Sequence, residues 1–319
     1  MISIDDIHAA ESRIRPHIRH TPVMTASGAL EPLRIAAEVT LKLELLQITG
    51  SFKARGAMNR LLGAAEQLPA AGIVTASGGN HGLAVARTAH DAGVPAAIFV
   101  PDGVSTAKVA KMRQWGAVVR IVGESWSVSN EAAMAYAAKT GADYFHPFAD
   151  PLVVAGQGTL GAELLGQVPK MDTVVVAVGG GGLISGLGTA LSALSPGVKI
   201  IAVEPEGAPT LKASLDAGYP VKLPEITSRI PTMSCLQTDS RIVKLAQQNV
   251  AEVVLLPDSA MAAASEWLWF EFGIAADLAG SAAIAAIRSG HPAFAKSDYI
   301  GALVCGAGTE GAIHGGTAE

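Results

Sequence analysis

The sequence predicts an α/β protein with mainly parallel sheets and helices packed outside them. Three observations carry this. Short apolar, β-branched runs recur along the chain, helix-length stretches separate them, and the loops after two of the runs are unusually rich in glycine. Strands that are apolar along their whole length are covered on both faces, and strands joined by helical crossovers run parallel.

In chain order the strands are GIVTA (72–76), AAIFV (96–100), AVVRIV (117–122), TVVVAV (173–178), KIIAVE (199–204) and GALVC (301–305). Helices are expected over 81–92, 106–115, 125–140, 156–165 and 260–272. An earlier run, LKLELL, reads as strand and leads into a helix that begins near SFKARGAMN. The uncharged stretch 173–198 is long enough to cross a bilayer, which takes about 20 apolar residues. Four successive glycines at its middle disfavour a continuous helix, so it reads as strand, glycine turn and the helix LISGLGTALSAL. No membrane span is expected. With no internal repeat or low-complexity linker, a domain boundary must be a crossover, and HPFADP (146–151), with two prolines near a strand end, is the best candidate.

At 319 residues the chain allows one large or two ordinary domains. Half the residues are hydrophobic and 16% charged, a composition that folds compactly. The net charge of −5 is spread out, and no basic stripe favours nucleic acid. Cys235 and Cys305 are too few and too distant for a zinc or disulfide framework, and the amino terminus has no apolar secretory stretch, so a reducing cytoplasm is expected. The charged amino-terminal helix is expected to be a solvated face, Trp267, Trp269, Phe270 and Phe272 to be core or a subunit contact, and His146 to be structural.

Three features point to chemistry. Lys53 lies between Phe52 and Ala54 at the start of a helix, and a lysine amine shielded from water can lose its proton and attack a carbonyl. The loop TASGGNHG after the first of these strands has small residues, Ser77, Gly78 and Gly79, that let a ligand approach the backbone, and the next helix offers free N–H groups to an anion such as a carboxylate. Ser77 or Asn80 acting only as a helix cap is the alternative. The loop VGGGGLISG is a phosphate cradle by the same logic. Its glycines miss the offsets of a dinucleotide-binding turn, and the P-loop Gly-Lys-Ser/Thr ending is absent. A phosphate site without adenine machinery, an imine-forming lysine and a carboxylate loop together describe a pyridoxal phosphate site.

With these residues in hand, the chain resembles the fold type II pyridoxal phosphate family (tryptophan synthase β-like), within it the threonine/serine dehydratase and serine racemase branch. SFKARGAMN, SGGNHG, HPFADP, AGQGTLGAE, VGGGGLISG and VEP occur in that branch's order and span most of the chain. The resemblance implies two open, twisted, mainly parallel sheets flanked by helices: a large cofactor-binding domain of residues 1–71 plus 150–319 and a small mobile domain of residues 72–149. It implies that Lys53 carries the cofactor as a Schiff base and removes the substrate α-proton, that Phe52 packs on the cofactor ring, and that Asn80 bonds the ring hydroxyl. Ser77, Gly78, Asn80 and His81 would surround the substrate carboxylate, Gly179, Gly180, Gly181 and Gly182 would hold the phosphate, and Cys305 would face the pyridine nitrogen. A neutral thiol there would leave the nitrogen unprotonated, which suits elimination.

The resemblance also shows departures. Gly78 stands where the racemase has a serine acid/base, which argues for a dehydratase. Of the branch's cation site Glu204 and Ala208 remain, but Thr210 replaces an aspartate, so no metal is expected. Asp277 replaces a glutamate, and the loop IPTMSCLQTDS (230–240) is unlike the common pattern. The expected activity is an ammonia-lyase acting on L-threonine, L-serine or a related β-hydroxy amino acid, in a homodimer that binds a small-molecule amino acid and neither nucleic acid nor membrane. An amino-acid racemase, a β-replacement enzyme and a non-catalytic ligand-binding protein are the alternatives.

Overall fold

The structure, a computed structural model, describes residues 2–314. Its strands are β1 (Val23–Thr25), β2 (Glu38–Lys42), β3 (Ile73–Ala76), β4 (Ala96–Val100), β5 (Val118–Ile121), β6 (Asp143–Tyr144), β7 (Thr173–Ala177), β8 (Lys199–Pro205), β9 (Val250–Leu256) and β10 (Tyr299–Leu303). They form two sheets, one of six strands in the order β1-β2-β10-β7-β8-β9 and one of four in the order β5-β4-β3-β6. Every pairing is parallel except β1 with β2. Gly301 of β10 pairs with Thr40 on one side and Val174 on the other. The α/β architecture is therefore that of a fold type II enzyme, two mainly parallel sheets flanked by helices.

Central strands β7 and β10 are apolar on both faces because helices cover both. Val174, Val175, Val176, Ala302 and Leu303 are fully buried, packed with Leu187 and Leu191 from one helix and Ile284 and Ile287 from another. The strand β9 at the edge of the larger sheet is exposed at Ala251 and Glu252 and buried at Val254 and Leu256, and Glu252 breaks the apolar run that would mark it. β6 has two residues, too few for any periodicity.

Several helix boundaries follow from caps. The helix Pro151–Gln167 is longer than its apolar pattern because Asp150 accepts hydrogen bonds from Leu152 and Val153 N–H, with proline at the first helical position. The first helix, Ile4–Ile14, starts in a Ser3–Asp6 capping box. Its expectation as a solvated face is corrected: Ile7, Ala10 and Ile14 are fully buried, and a Cβ on Gly158 would come within 2.6 Å of Ile7. The charges occupy only the outer side. LKLELL is also shorter as a strand than it reads. β2 ends at Lys42, and 3-10 turns at Glu44–Leu46 and Ile48–Gly50 carry the chain to the helix Lys53–Gly63.

The 173–198 stretch folds as β7, a turn at Val178–Gly181 and the helix Gly182–Leu194. Among the described residues no helix is long and apolar enough to cross a membrane. HPFADP follows β6 and leads from the four-stranded sheet into the helix Pro151–Gln167.

Candidate active site

A cavity of about 580 Å³ lies at the carboxyl ends of the strands, lined by the loops that follow β3, β4, β7 and β10. Ligands of open parallel sheets bind at such ends. Phe52, Lys53, Ser77, Gly78, Asn80, His81, Gly179, Gly180, Gly181, Gly182 and Cys305 all face it. Residues up to 253 positions apart in the sequence, Phe52 and Cys305, share one wall.

Lys53 opens its helix. Its Nζ donates to the Pro147 carbonyl at 2.7 Å and lies 5.2 Å from the Phe52 ring centroid. Loss of hydration lowers its pKa from 10.5 to about 8, and no carboxylate is close enough to reverse that. The amine is therefore readily available as the neutral nucleophile.

The helix bearing Lys53 is anchored by a buried ion network. Arg55 donates to Glu44 through Nε at 2.9 Å and Nη2 at 2.7 Å, and Nη2 reaches Glu163 at 2.8 Å. Glu163 also accepts from Lys42, whose Nζ bonds the Thr21 carbonyl and Gln167. Burial opposes the charge on Arg55, but Glu44 and Glu163 outweigh it and hold the guanidinium protonated. Two cations and two carboxylates compensate one another beneath Lys53.

Each carboxylate-loop residue has a defined state. Asn80 Nδ2 donates to Asp277 at 3.1 Å, and Asp277 also caps the helix Leu278–Arg288 by accepting from Gly280 N–H at 2.6 Å. His81 is buried, with Nε2 3.3 Å from the Phe145 carbonyl and Nδ1 without a partner. Burial and the nearby Lys53 hold its pKa well below 6.5. The imidazole is neutral, so an anion at this loop meets backbone N–H groups at the start of the helix Asn80–Ala92 and not a second charge.

The four glycines precede and open the helix Gly182–Leu194. Gly181 has φ +87°, a left-handed conformation, and no side chain caps this helix end. A Cβ on Gly180 would stand 2.2 Å from Phe148, and one on Gly179 would stand 2.8 Å from the Thr232 carbonyl. Uncapped N–H groups and the helix dipole suit a phosphate. Cys305 is buried just beyond β10, its Sγ 3.5 Å from the Ala279 carbonyl, and desolvation pushes its pKa far up. The thiol is neutral. Together, a partly neutral lysine, an uncapped glycine turn and a neutral thiol around one cavity fit pyridoxal phosphate.

Glu204 and Ala208 lie outside this lining. The Glu204 carboxylate accepts from Leu211 N–H at 2.8 Å and Lys212 N–H at 2.9 Å, which caps the helix Thr210–Ala217, and burial raises its pKa to about 7. Thr210 donates its hydroxyl to the Cys235 carbonyl. Among the described residues no group of three or more His, Cys, Asp or Glu side chains could hold a metal ion. His146 Nδ1 accepts from Phe148 and Ala149 N–H, so it shapes the HPFADP turn, and burial lowers its pKa to about 4.

The cavity also contains residues to which the sequence alone assigned no site role, among them Val104, Lys108, Trp126, Phe148, Thr232 and Cys235. Phe148 lies inside HPFADP, where its place in a boundary segment hid its place in the site. Trp126 opens a helix, WSVSNEAAMAYAAKT, that carries no ligand-binding motif.

A family profile described as pyridoxal-phosphate dependent enzyme matches residues 14–306. The L-threonine ammonia-lyase of Thermotoga maritima is 36% identical over 90% of this chain and 71% of its own length. The phenylserine dehydratase of Ralstonia pickettii is 35% identical over 96% of this chain and 93% of its own length. The structure of maize serine racemase superposes with a TM-score of 0.89 at 30% identity, covering 96% of this chain and 93% of that one. The order of motifs, the two sheets, the glycine turn opposite Lys53 and these matches agree, and the chain belongs to the pyridoxal-phosphate dependent enzyme family, in its fold type II.

Proposed function

We propose that this enzyme is an ammonia-lyase that converts L-serine, L-threonine or a related β-hydroxy amino acid to the 2-oxo acid and ammonia. Pyridoxal phosphate supplies the electron sink that makes a Cα proton removable. Lys53 binds the cofactor, and its amine, once free, takes that proton. Phe52 would pack on the cofactor ring, Asn80, oriented by Asp277, would bond the ring hydroxyl, Gly179 to Gly182 would hold the phosphate and Cys305 would face the ring nitrogen. Ser77, Gly78, Asn80 and His81 receive the substrate carboxylate. Elimination breaks the Cα–H and Cβ–O bonds and releases water; hydrolysis of the resulting enamine takes water up again, so the net products are one 2-oxo acid and one ammonia.

The observation that carries elimination over racemisation is at Gly78. A Cβ there would stand 2.2 Å from Val104 Cγ2, so a hydroxyl-bearing residue cannot be accommodated unless Val104 moves. A racemase must deliver a proton to the face opposite its lysine; Gly78 carries none, and Val104 fills the space. The similarity to named dehydratases supports the same reading. Residues 72–149 form the small domain, closing on the domain of residues 1–71 and 150–319 to exclude water. The enzyme works in the cytoplasm, consistent with two unpaired cysteines, as a homodimer.

The test incubates purified holoenzyme with L-serine and L-threonine and measures 2-oxo acid and ammonia. Stoichiometric appearance of both is expected. D-serine as the main product from L-serine would establish a racemase instead.

A further inference from the structure

We infer that the cavity holds a side-chain subsite for an aromatic β-substituent, walled by Trp126 and Phe148, so that the preferred substrate is a 3-aryl-3-hydroxy amino acid. This rests on the ammonia-lyase reading and specifies its substrate class.

Trp126 is 38% exposed, a large uncovered area for a tryptophan, and it borders the cavity. The indole is fixed in place: Nε1 donates to the Ala76 carbonyl at 2.9 Å. Ala76 is the last residue of β3 and directly precedes Ser77, so the indole stands beside the carboxylate loop. Phe148 is fixed from the other side. It follows Pro147, whose carbonyl holds Lys53, and its ring lies against Gly180 and edge-on to His146 at 4.5 Å. A substrate bound by its carboxylate at Ser77–His81 with its Cα above Lys53 therefore has its β-substituent next to this pair.

The two rings are 6.5 Å apart between centroids and inclined by 35°. They are tilted and not stacked face to face, and a substrate ring beside them would pack at the offset and edge geometries that aromatic groups favour. The Val104 methyl groups close the Gly78 side with more apolar surface. A serine or threonine side chain would leave both rings wet.

A second carboxylate on the substrate finds less. Lys108 lines the cavity near Asp277, an acid of this chain that already offers it a counter-charge. Arg229 is exposed at the rim.

The test compares holoenzyme kcat/KM for L-threo-3-phenylserine, L-threonine and 3-hydroxyaspartate, in the wild type and in Trp126→Ala and Trp126→Phe. Phenylserine is expected to exceed threonine by about 10-fold or more, in the range pocket contacts give. That ratio should fall by about 10-fold in Trp126→Ala and largely recover in Trp126→Phe. Preference for threonine or 3-hydroxyaspartate, or an unchanged ratio in Trp126→Ala, overturns the subsite while leaving an ammonia-lyase. If none of the three yields a 2-oxo acid, the ammonia-lyase reading falls by itself. Spectral titration of holoenzyme with L-phenylalanine and L-alanine, which lack a β-hydroxyl, then decides the subsite: about 10-fold tighter phenylalanine binding supports it and equal binding overturns it.

Discussion

The Lys53 amine combines a fixed position with a pKa brought down toward physiological pH. Position comes from the Pro147 carbonyl and the Phe52 ring, and the lowered pKa from lost hydration. Because its pKa is lowered to about 8, the protonated form dominates below pH 8 and the nucleophile above it. The rate at which cofactor-free protein takes up pyridoxal phosphate should therefore climb as pH rises through about 8 and then level off, read as growth of the imine absorption band. Lys53→Ala should form no such band. A climb centred near the ordinary lysine value of about 10.4 would show that the amine is solvated. The place of Lys53 beside the two glycine loops was legible from SFKARGAMN and those loops. Its partner Pro147 was not, because a backbone carbonyl carries no sequence signature.

At the scale of elements, a helix is positioned by charge and a loop by caps. The helix Lys53–Gly63 depends on Arg55, which is 1% exposed and bonded to Glu44 and Glu163. Removing one member leaves an unpaired buried charge. Glu44→Gln should destabilise the protein by about 3–5 kcal/mol, measured as a lower denaturant midpoint with an unchanged m-value. Glu204 works by capping: its carboxylate bonds two amides of the helix Thr210–Ala217, and Thr210 ties that helix to Cys235 in the cavity-lining loop. With those oxygens engaged, chelators should leave activity unchanged; a severe loss reversed by magnesium would show a cation competing for Glu204. The parallel strands β4, β7 and β8 were readable because uniform burial demands uniform apolarity. Edge strand β9 was missed because Glu252 interrupts its apolar run VAEVVLL, and the tilt of Ile7 and Ile14 into the core was masked by charges on the outer face of their helix. Trp126 and Phe148 escaped notice for another reason: a side-chain subsite obeys the shape of one substrate, not a repeating pattern.

At the scale of the whole molecule, large apolar side chains outside the cavity lining are exposed. Leu30 is 78% exposed, Phe270 72% and Trp269 44%, although the neighbouring Trp267 is buried and donates to the Glu31 carbonyl. Glu271 accepts from the N–H groups of Leu30 and Glu31 at 2.7 and 2.8 Å, which fixes the loop against the helix Asp258–Phe272. Neighbouring exposed apolar side chains on a rigid support are suited to burial by a partner, and the proposed homodimer provides a second copy. Sedimentation should give twice the 32.5 kDa chain mass. Phe270→Asp places a charge at the most exposed aromatic position among these side chains, where desolvating it on association is unfavourable. That variant should sediment as a 32.5 kDa species while retaining its circular dichroism spectrum. A Phe270→Asp protein that remains dimeric would move the interface elsewhere, and a monomeric wild type would remove the dimer itself.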